Sequence, residues 1–260
     1  NKIKLLLQSS LVNNTYYKKL SVNENSTNES INFFQNLFST IHFLPEMERL
    51  FLNNPSSRRN FIDRLIFNID KKYNLLINKY KKNILERYKI LKNYNYEIEW
   101  VELLEKTIVD QGIQIYKKKL NHLNIINSYL HDLESFEKYN YKFSLILEDN
   151  LIKNFNQDIE NIYEHYLKSI EKSREADSII GGCKIGPHKS DFVGYNIENN
   201  ININKLSTGQ QKTVILLIII AQCKFLIKET KINPIILFDE VCSHLDQENR
   251  ALLLDLIEVL

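Results

Sequence analysis

The sequence predicts an α/β fold interrupted by a mostly helical insertion. Three observations predict it. Short strand-like runs occupy roughly the first 44 residues. Apolar residues at helical spacing fill the middle of the chain. The last third then returns to strands and long helices, including a four-residue apolar run that ends in two acids, Ile235-Ile236-Leu237-Phe238-Asp239-Glu240. With 260 residues, 43% hydrophobic and 25% charged, the chain has ample material for a packed core.

Lys2 to Leu7 and Tyr16 to Val22 read as strands, separated by the turn-like Asn13-Asn14. Residues 23 to 30 read as a polar loop, and Ile31 to Phe38 has helical spacing. Thr40 to Leu44 reads as a short strand halted by Pro45. A helix follows with Phe61, Ile62, Leu65, Ile66 and Ile69 on one face and Ser56 or Ser57 as its N-cap. Tyr73, Ile77, Tyr80, Ile84 and Leu91 mark a long helix packed along a partner. Another helix starts at Trp100 and continues past Gly112 to Leu130. Phe143 to Leu147 reads as a strand and Leu151 to Arg174 as helix.

In the last third, Gly181-Gly182 and Gly186-Pro187-His188 are breaks. Phe192 to Ile197 and Ile201 to Ile203 read as a hairpin, and Ser207 to Lys228 as a long apolar helix. Ile235 to Phe238 reads as a strand buried on both faces. Leu252 to Leu260 is helical. The expected domains are residues 1–44 and 179–260 as two parts of one α/β head, with 45–178 as a helical arm.

Net charge is +2, so overall charge names no partner. The longest strongly apolar run, Val214 to Ala221, is too short to span a membrane. Cys183, Cys223 and Cys242 form neither a C-x-x-C pair nor a disulfide framework, and small buried thiols in a cytoplasmic protein are the simplest reading.

Three elements carry chemistry. In the run ending Asp239-Glu240, a rigid strand would hold Asp239 near a water-ligated Mg²⁺. Glu240 would orient the water that attacks a γ-phosphate; a strand ending in two solvated acids is the plain alternative. Leu206-Ser207-Thr208-Gly209-Gln210-Gln211-Lys212 stands at a helix start, where exposed amides and the positive helix end suit a phosphate; plain capping by Ser207 or Thr208 is the alternative. Ser243-His244-Leu245-Asp246 follows the acids, with His244 as a surface residue and Asp246 as a cap for the next helix in the plain reading.

The order of these elements resembles that of ABC-type ATPases, which are P-loop NTPases. Leu206 to Lys212 resembles their signature and Ser243 to Asp246 their D-loop. Gly186-Pro187-His188-Lys189-Ser190-Asp191 resembles the G-P-H-R-x-D stretch of the bacterial recombination mediator family RecF. Phe43-Leu44-Pro45-Glu46 and Pro55-Ser56-Ser57-Arg58-Arg59-Asn60-Phe61-Ile62-Asp63 are similar to that family's F-x-P-E and P-x-x-R-R-x-F-[LI]-D. Lys81 to Lys92 looks like the long helix that follows. Departures are Lys189 for Arg, Ser190 for an acid, Thr208 and Lys212 for Gln and Arg, and Glu240 for Asp.

The resemblance implies ATP-driven head-to-tail dimerisation with slow hydrolysis. Ser207, Thr208, Gly209 and Gln210 would serve the ATP of the other subunit, with Asp239 near Mg²⁺ and Glu240 near the attacking water. It further implies binding to double-stranded, gapped and junction DNA, and help in loading the RecA recombinase with partner mediators. Arg58, Arg59, Lys81 and Lys82 are the expected DNA contacts. They lie in the strongly basic segment Arg58 to Lys92, which holds eleven Lys/Arg against three Asp/Glu; a solvated helix face is the plain alternative. No G-x-x-x-x-G-K-[ST] occurs, the first residue is Asn1 and the sole methionine is Met47. The chain is therefore read as an internal fragment, binding ATP and Mg²⁺ poorly and inactive by itself. An SMC-type chromosome-associated ATPase, a transporter nucleotide-binding subunit and a non-enzymatic helical scaffold are the rival readings.

Overall fold

A computed structural model of the protein describes residues 3–12, 15–27, 29, 39–93, 96–133, 141–153, 162–230, 234–258 and 260. The helix expected at Ile31 to Phe38, the Asn13-Asn14 turn and the middle of the helix expected from Leu151 lie outside the described residues.

Strands β1 (Leu5–Val12) and β2 (Thr15–Val22) form an antiparallel ribbon, with Leu5 opposite Val22. Strand β3 (Thr40–Phe43) stops at Pro45, where a 3₁₀ turn (Pro45–Arg49) begins. Helix α1 (Pro55–Ile69) starts from Asn54. The Asn54 side chain, rather than that of Ser56 or Ser57, caps it by accepting the Ser57 amide at 3.1 Å, with Pro55 in the first turn. Helices α2 (Tyr73–Lys92) and α3 (Ile98–Leu133) run antiparallel. Asn83 bonds Gln111 and, one turn on, Arg87 meets Glu105.

Then come β4 (Phe143–Glu148), the one-turn α4 (Asn150–Lys153), α5 (Tyr163–Lys172) and α6 (Arg174–Ile180). Strand β5 (Asp191–Asn196) pairs antiparallel with β4. The hairpin expected with Ile201 to Ile203 reduces to a single bridge, Tyr195 to Asn202, because the chain turns into a 3₁₀ turn at Ile203–Lys205. β5 takes its ladder partner from the other side of the helical block instead.

Helix α7 (Thr208–Phe225) is buried without interruption from Gln211 to Cys223. A helix apolar all round can be stable only inside the core. It packs against α3, where Phe225 meets the rings of Tyr129 and His122 at 5.8 and 6.5 Å. It ends in a π-helical turn at Leu226–Thr230. Strand β6 (Ile235–Phe238) then pairs in parallel with β3, Thr40 opposite Ile235, although more than 190 residues separate them. Helix α8 (Gln247–Glu258) closes the described chain.

Burial of β6 is one-sided. Ile236 and Phe238 pack on the core beside Ile41 and Phe43. Ile235 and Leu237 point the other way and remain 44% and 55% exposed. Alternation puts them on the far face of the β3–β6 pair, where none of the described residues covers them. Cys183 and Cys223 are buried as expected, but Cys242 is exposed.

A buried ionic network holds the helical block together. Arg87 donates to Glu105 Oε1 at 2.9 Å, to Asp177 Oδ2 at 2.7 Å and to the Ile170 carbonyl at 2.8 Å. Arg174 pairs with the other Glu105 oxygen, and the side chains of Arg87, Glu105 and Asp177 are wholly buried. Gly112 sits opposite Tyr166. A Cβ there would lie 2.7 Å from the ring, and the ring cannot retreat because it is fully buried with its hydroxyl 3.1 Å from that of Tyr80.

Replacing a helical glycine with alanine ordinarily stabilises by about 1 kcal/mol. Overpacking costs about 1–3 kcal/mol. Gly112→Ala is therefore expected to destabilise the protein, against the usual sign; urea denaturation measures it, and a rise in stability contradicts the packing described.

Candidate functional site

The signature-like segment and the acid pair meet at one point. Ser207 is the N-cap of α7. Its hydroxyl accepts the Gln210 amide at 3.3 Å, and its own amide donates to Gln210 Oε1 at 3.0 Å, a complete capping box. The Ser207 hydroxyl proton is thus left to donate outward. The amides of Thr208 and Gly209 lie in the first turn, where no intrahelical acceptor exists. Ser207, Thr208 and Gln210 are exposed. A Cβ on Gly209 would lie 2.8 Å from the backbone oxygen of His244. Only glycine lets the start of α7 approach the 240–244 turn this closely.

Lys212 makes the connection. Its ammonium is fully buried and touches four oxygens: Glu48 Oε1 at 2.5 Å, the Ser243 carbonyl at 2.7 Å, the Glu240 carbonyl at 2.9 Å and Ser243 Oγ at 2.9 Å. Glu48 comes from the 3₁₀ turn after β3. Its other oxygen lies 3.2 Å from His244 Nδ1. Burial alone raises the Glu48 carboxyl, but hydrogen bonds from Lys212 and Ser243 outweigh it and hold the group below its ordinary range. Sequence reasoning missed Glu48. Its signal was its place three residues past the end of Phe43-Leu44-Pro45 and the need of a buried lysine for an anion.

Asp239 and Glu240 stand exposed at the tip of β6. Glu240 adopts φ 49° and His244 φ 57°, the left-handed region that non-glycine residues rarely occupy. Two donors on the Glu240 carbonyl hold it there, Lys212 Nζ at 2.9 Å and the Ser243 amide at 3.1 Å. Leu245 is buried. Asp246 accepts the Asn249 amide at 2.7 Å and so caps α8. Two adjacent carboxylates supply oxygen donors of the kind Mg²⁺ takes. No group of three or more potential metal ligands occurs among the described residues. The donor set therefore suits an ion that draws its other ligands from phosphate and water.

The second pair of motifs forms a separate clasp. Arg58 was expected to face DNA, but it is 9% exposed and makes four hydrogen bonds within the protein. It holds Asp191 with two bonds of 2.8 and 2.7 Å and also donates to the Phe51 and Asn53 carbonyls. Arg59 is half-buried and donates to the Ser190 carbonyl at 2.9 Å. The P-x-x-R-R and G-P-H segments therefore lock onto each other. Lys81 and Lys82 are exposed on α2.

His188 lies 2.7 Å from the Cys183 carbonyl through Nε2 and 2.8 Å from the Tyr80 hydroxyl through Nδ1. A carbonyl can only accept, so Nε2 carries the proton and Nδ1 accepts from Tyr80. The ring is neutral, and burial pushes its pKa down to about 4. Gly186, at φ 127°, is required here because a Cβ would collide with the hydroxyls of Tyr80 and Tyr166.

Two predictions follow from these contacts. Lys212→Met should cost about 3–5 kcal/mol, because it strands the Glu48 charge and frees the strained turn; urea denaturation and faster amide exchange at residues 239–246 measure it. His188 and His122, the latter also pushed down by burial to about 4, bind protons near 6.5 when unfolded and near 4 when folded. Stability is then full above about pH 6.5 and falls as pH drops toward about 4, and a His188→Gln variant should show a shallower fall in its melting curves.

No family model matches the chain. The DNA replication and repair protein RecF of Rickettsia felis is 33% identical over 97% of this chain and 71% of its own length. That of Rickettsia massiliae is 34% identical over the same shares. A solved structure of the recombination mediator protein RecF-ATPrS in the RecFOR pathway matches 98% of this chain and 68% of its own. Its TM-score is 0.78 at 25% identity. The corresponding RecF-ATP structure also gives 0.78, with 65% of its chain covered. The α/β architecture with its helical block is that of the ABC-type ATPase fold, and the chain belongs to the RecF family of DNA replication and repair proteins.

Proposed function

We propose that this chain supplies the signature and acid-pair half of an ATP-dependent DNA-binding dimer that works in recombinational repair. The observation that carries this reading is the Lys212-centred junction, where the start of α7 and the Asp239–His244 turn form one rigid corner.

In the proposed dimer, the Ser207 hydroxyl and the Thr208 and Gly209 amides, with Gln210 beside them, donate to the terminal phosphate of ATP held by the partner subunit. Asp239 would ligate Mg²⁺ through water, and Glu240 would orient the attacking water. Bound ATP with Mg²⁺ supplies the phosphoanhydride that is cleaved. The strained Glu240 backbone is held before any nucleotide arrives, so its carboxylate needs little reorganisation. Ser243, His244, Leu245 and Asp246 form the turn that would face the other subunit.

Residues 1–44 and 179–260 are proposed as parts of the ATPase head and 45–178 as its arm. DNA, including gapped and junction forms, is proposed to lie along the exposed lysines of α2, Lys81 and Lys82, with Arg59 at the edge. Arg58 is left out because it is buried and its guanidinium is held by Asp191 and two backbone carbonyls. Contact through phosphates is independent of base sequence and falls with salt. Help in loading the RecA recombinase and action in the cytoplasm are proposed with this reading; the solved relatives are named for the RecFOR pathway. No helix among the described residues is long and apolar enough to cross a membrane.

The test uses the protein with a P-loop segment supplied. Glu240→Gln should lower turnover by about 10²–10³-fold, the scale of losing one group that acts in the transition state. It should also trap an ATP-bound dimer in gel filtration, and Ser207→Arg should abolish dimerisation. A Glu240→Gln protein that stays monomeric with ATP would sink the assignment.

A further inference from the structure

A cavity of about 150 Å³ lies between α1, α2, α3 and the Pro187-His188 turn. Three cations line it: Arg59, Lys81 and Lys119. One carboxylate, Asp63, opposes them. Lys119 is 1% exposed, yet its ammonium has a single ion-pair partner among the described residues, Asp63 at 3.3 Å. That partner is shared, because Asp63 also accepts the Tyr73 hydroxyl at 2.7 Å. A fully buried ammonium has three donors to satisfy, and here it is under-supplied.

The surrounding wall cannot relieve it. Both His188 nitrogens are taken, Nε2 by the Cys183 carbonyl and Nδ1 by Tyr80. The neutral histidine therefore shapes the cavity without adding charge. Arg59 spends one donor on the Ser190 carbonyl and keeps the rest of its fork. Burial holds the Lys119 ammonium below its ordinary range; Asp63 opposes this, and Arg59 and Lys81 add to it. Three cations have thus been gathered around a single carboxylate, Asp63, that they share with the Tyr73 hydroxyl. The volume corresponds to about five waters at about 30 Å³ each, enough for one tetrahedral oxyanion.

We propose that this cavity is a binding site for one phosphate group, held by Arg59, Lys81 and Lys119. Arg59 and Lys81 at the mouth meet the oxygens first, and Lys119 at the floor completes the cradle. The phosphate comes either from a nucleic-acid strand or from free inorganic phosphate, and the same three donors serve both. The site is independent of ATP and lies in a different cluster from the Lys212 corner.

The experiment follows the melting temperature of the protein as inorganic phosphate is titrated against chloride at constant ionic strength. Specific binding gives a saturable rise, whereas exclusion of phosphate from the surface gives a rise that does not saturate and is equal in all variants. The wild type should show the saturable rise. Lys119→Gln should abolish it. Lys81→Glu, on an exposed residue that leaves folding intact, should weaken apparent affinity at least 10-fold, about 1.4 kcal/mol. Lys89→Glu, the same charge change elsewhere on α2, should leave it unchanged. The absence of a saturable rise in the wild type, or equal rises in all four proteins, overturns the site. A second arm asks whether phosphate competes with a short duplex DNA. Competition in the wild type that Lys81→Glu removes identifies a strand phosphate as the occupant. A saturable rise without competition identifies free phosphate. DNA binding that persists with no phosphate effect overturns the pocket and leaves the DNA-binding proposal standing.

Discussion

A lysine ammonium with no exposed surface must be surrounded by acceptors, and the placement of Lys212 organises much of the site. Its four oxygens come from two segments distant in sequence: the turn after β3, which carries Glu48, and the Glu240–Ser243 turn after β6. Because the ammonium cannot be left unpaired without a cost of about 3–5 kcal/mol, these segments are tied to α7 as one unit. The phosphate-facing amides at the start of α7 and the acids at the end of β6 cannot drift apart independently. The parallel pairing of β3 with β6 supplies the frame, and Lys212 sets the corner on it.

The Arg58–Asp191 and Arg87–Glu105–Asp177 pairs perform a related task on the helical side. Arg58 fastens α1 to the start of β5, and Arg87 fastens α2 to α3 and to the region of α5 and α6. Asp177 also accepts the Lys184 amide at 2.9 Å, so the network reaches the loop that carries Gly186 and His188. Buried ion pairs are weak evidence for stability as such. Their effect here is positional: each has one geometry, and together they fix the turn whose ring nitrogens, Tyr80 hydroxyl and Gly186 backbone fit without slack.

The order of elements was legible because each rests on local chemistry. An apolar run that ends in two acids reads as a strand tip, and Ser207 or Thr208 ahead of a long apolar run reads as the cap of a helix. What failed was everything that depends on a distant partner. Arg58 and Arg59 stand side by side in a basic segment, and nothing local says that one of them will be claimed by Asp191, 133 residues later. Ile235 to Phe238 reads as doubly buried because apolar content alone does not say which face finds a neighbour. Ile201 to Ile203 reads as a strand from β-branched content, but β4 offered β5 a longer ladder. Glu48 carries no motif at all, and its role appears only once Lys212 is known to be buried.

The choice of lysine rather than arginine at position 212 follows from the shape of its cradle. A guanidinium presents a flat fork suited to one carboxylate or one phosphate. The acceptors here are not coplanar partners of that kind; they are one carboxylate oxygen, two carbonyls and a hydroxyl converging on a point. A compact ammonium with three rotatable donors meets such a set. Nζ also lies over the Phe43 ring, 5.3 Å from its centroid, a cation–π contact that adds to the oxygens. Two of the acceptors are backbone carbonyls of the turn itself, so Lys212 acts directly on the main chain that sets the direction of Glu240. The strain at Glu240 and the charge at Lys212 are thus two sides of one interaction: the ammonium needs those carbonyls for solvation, and the carbonyls reach it only in the left-handed turn.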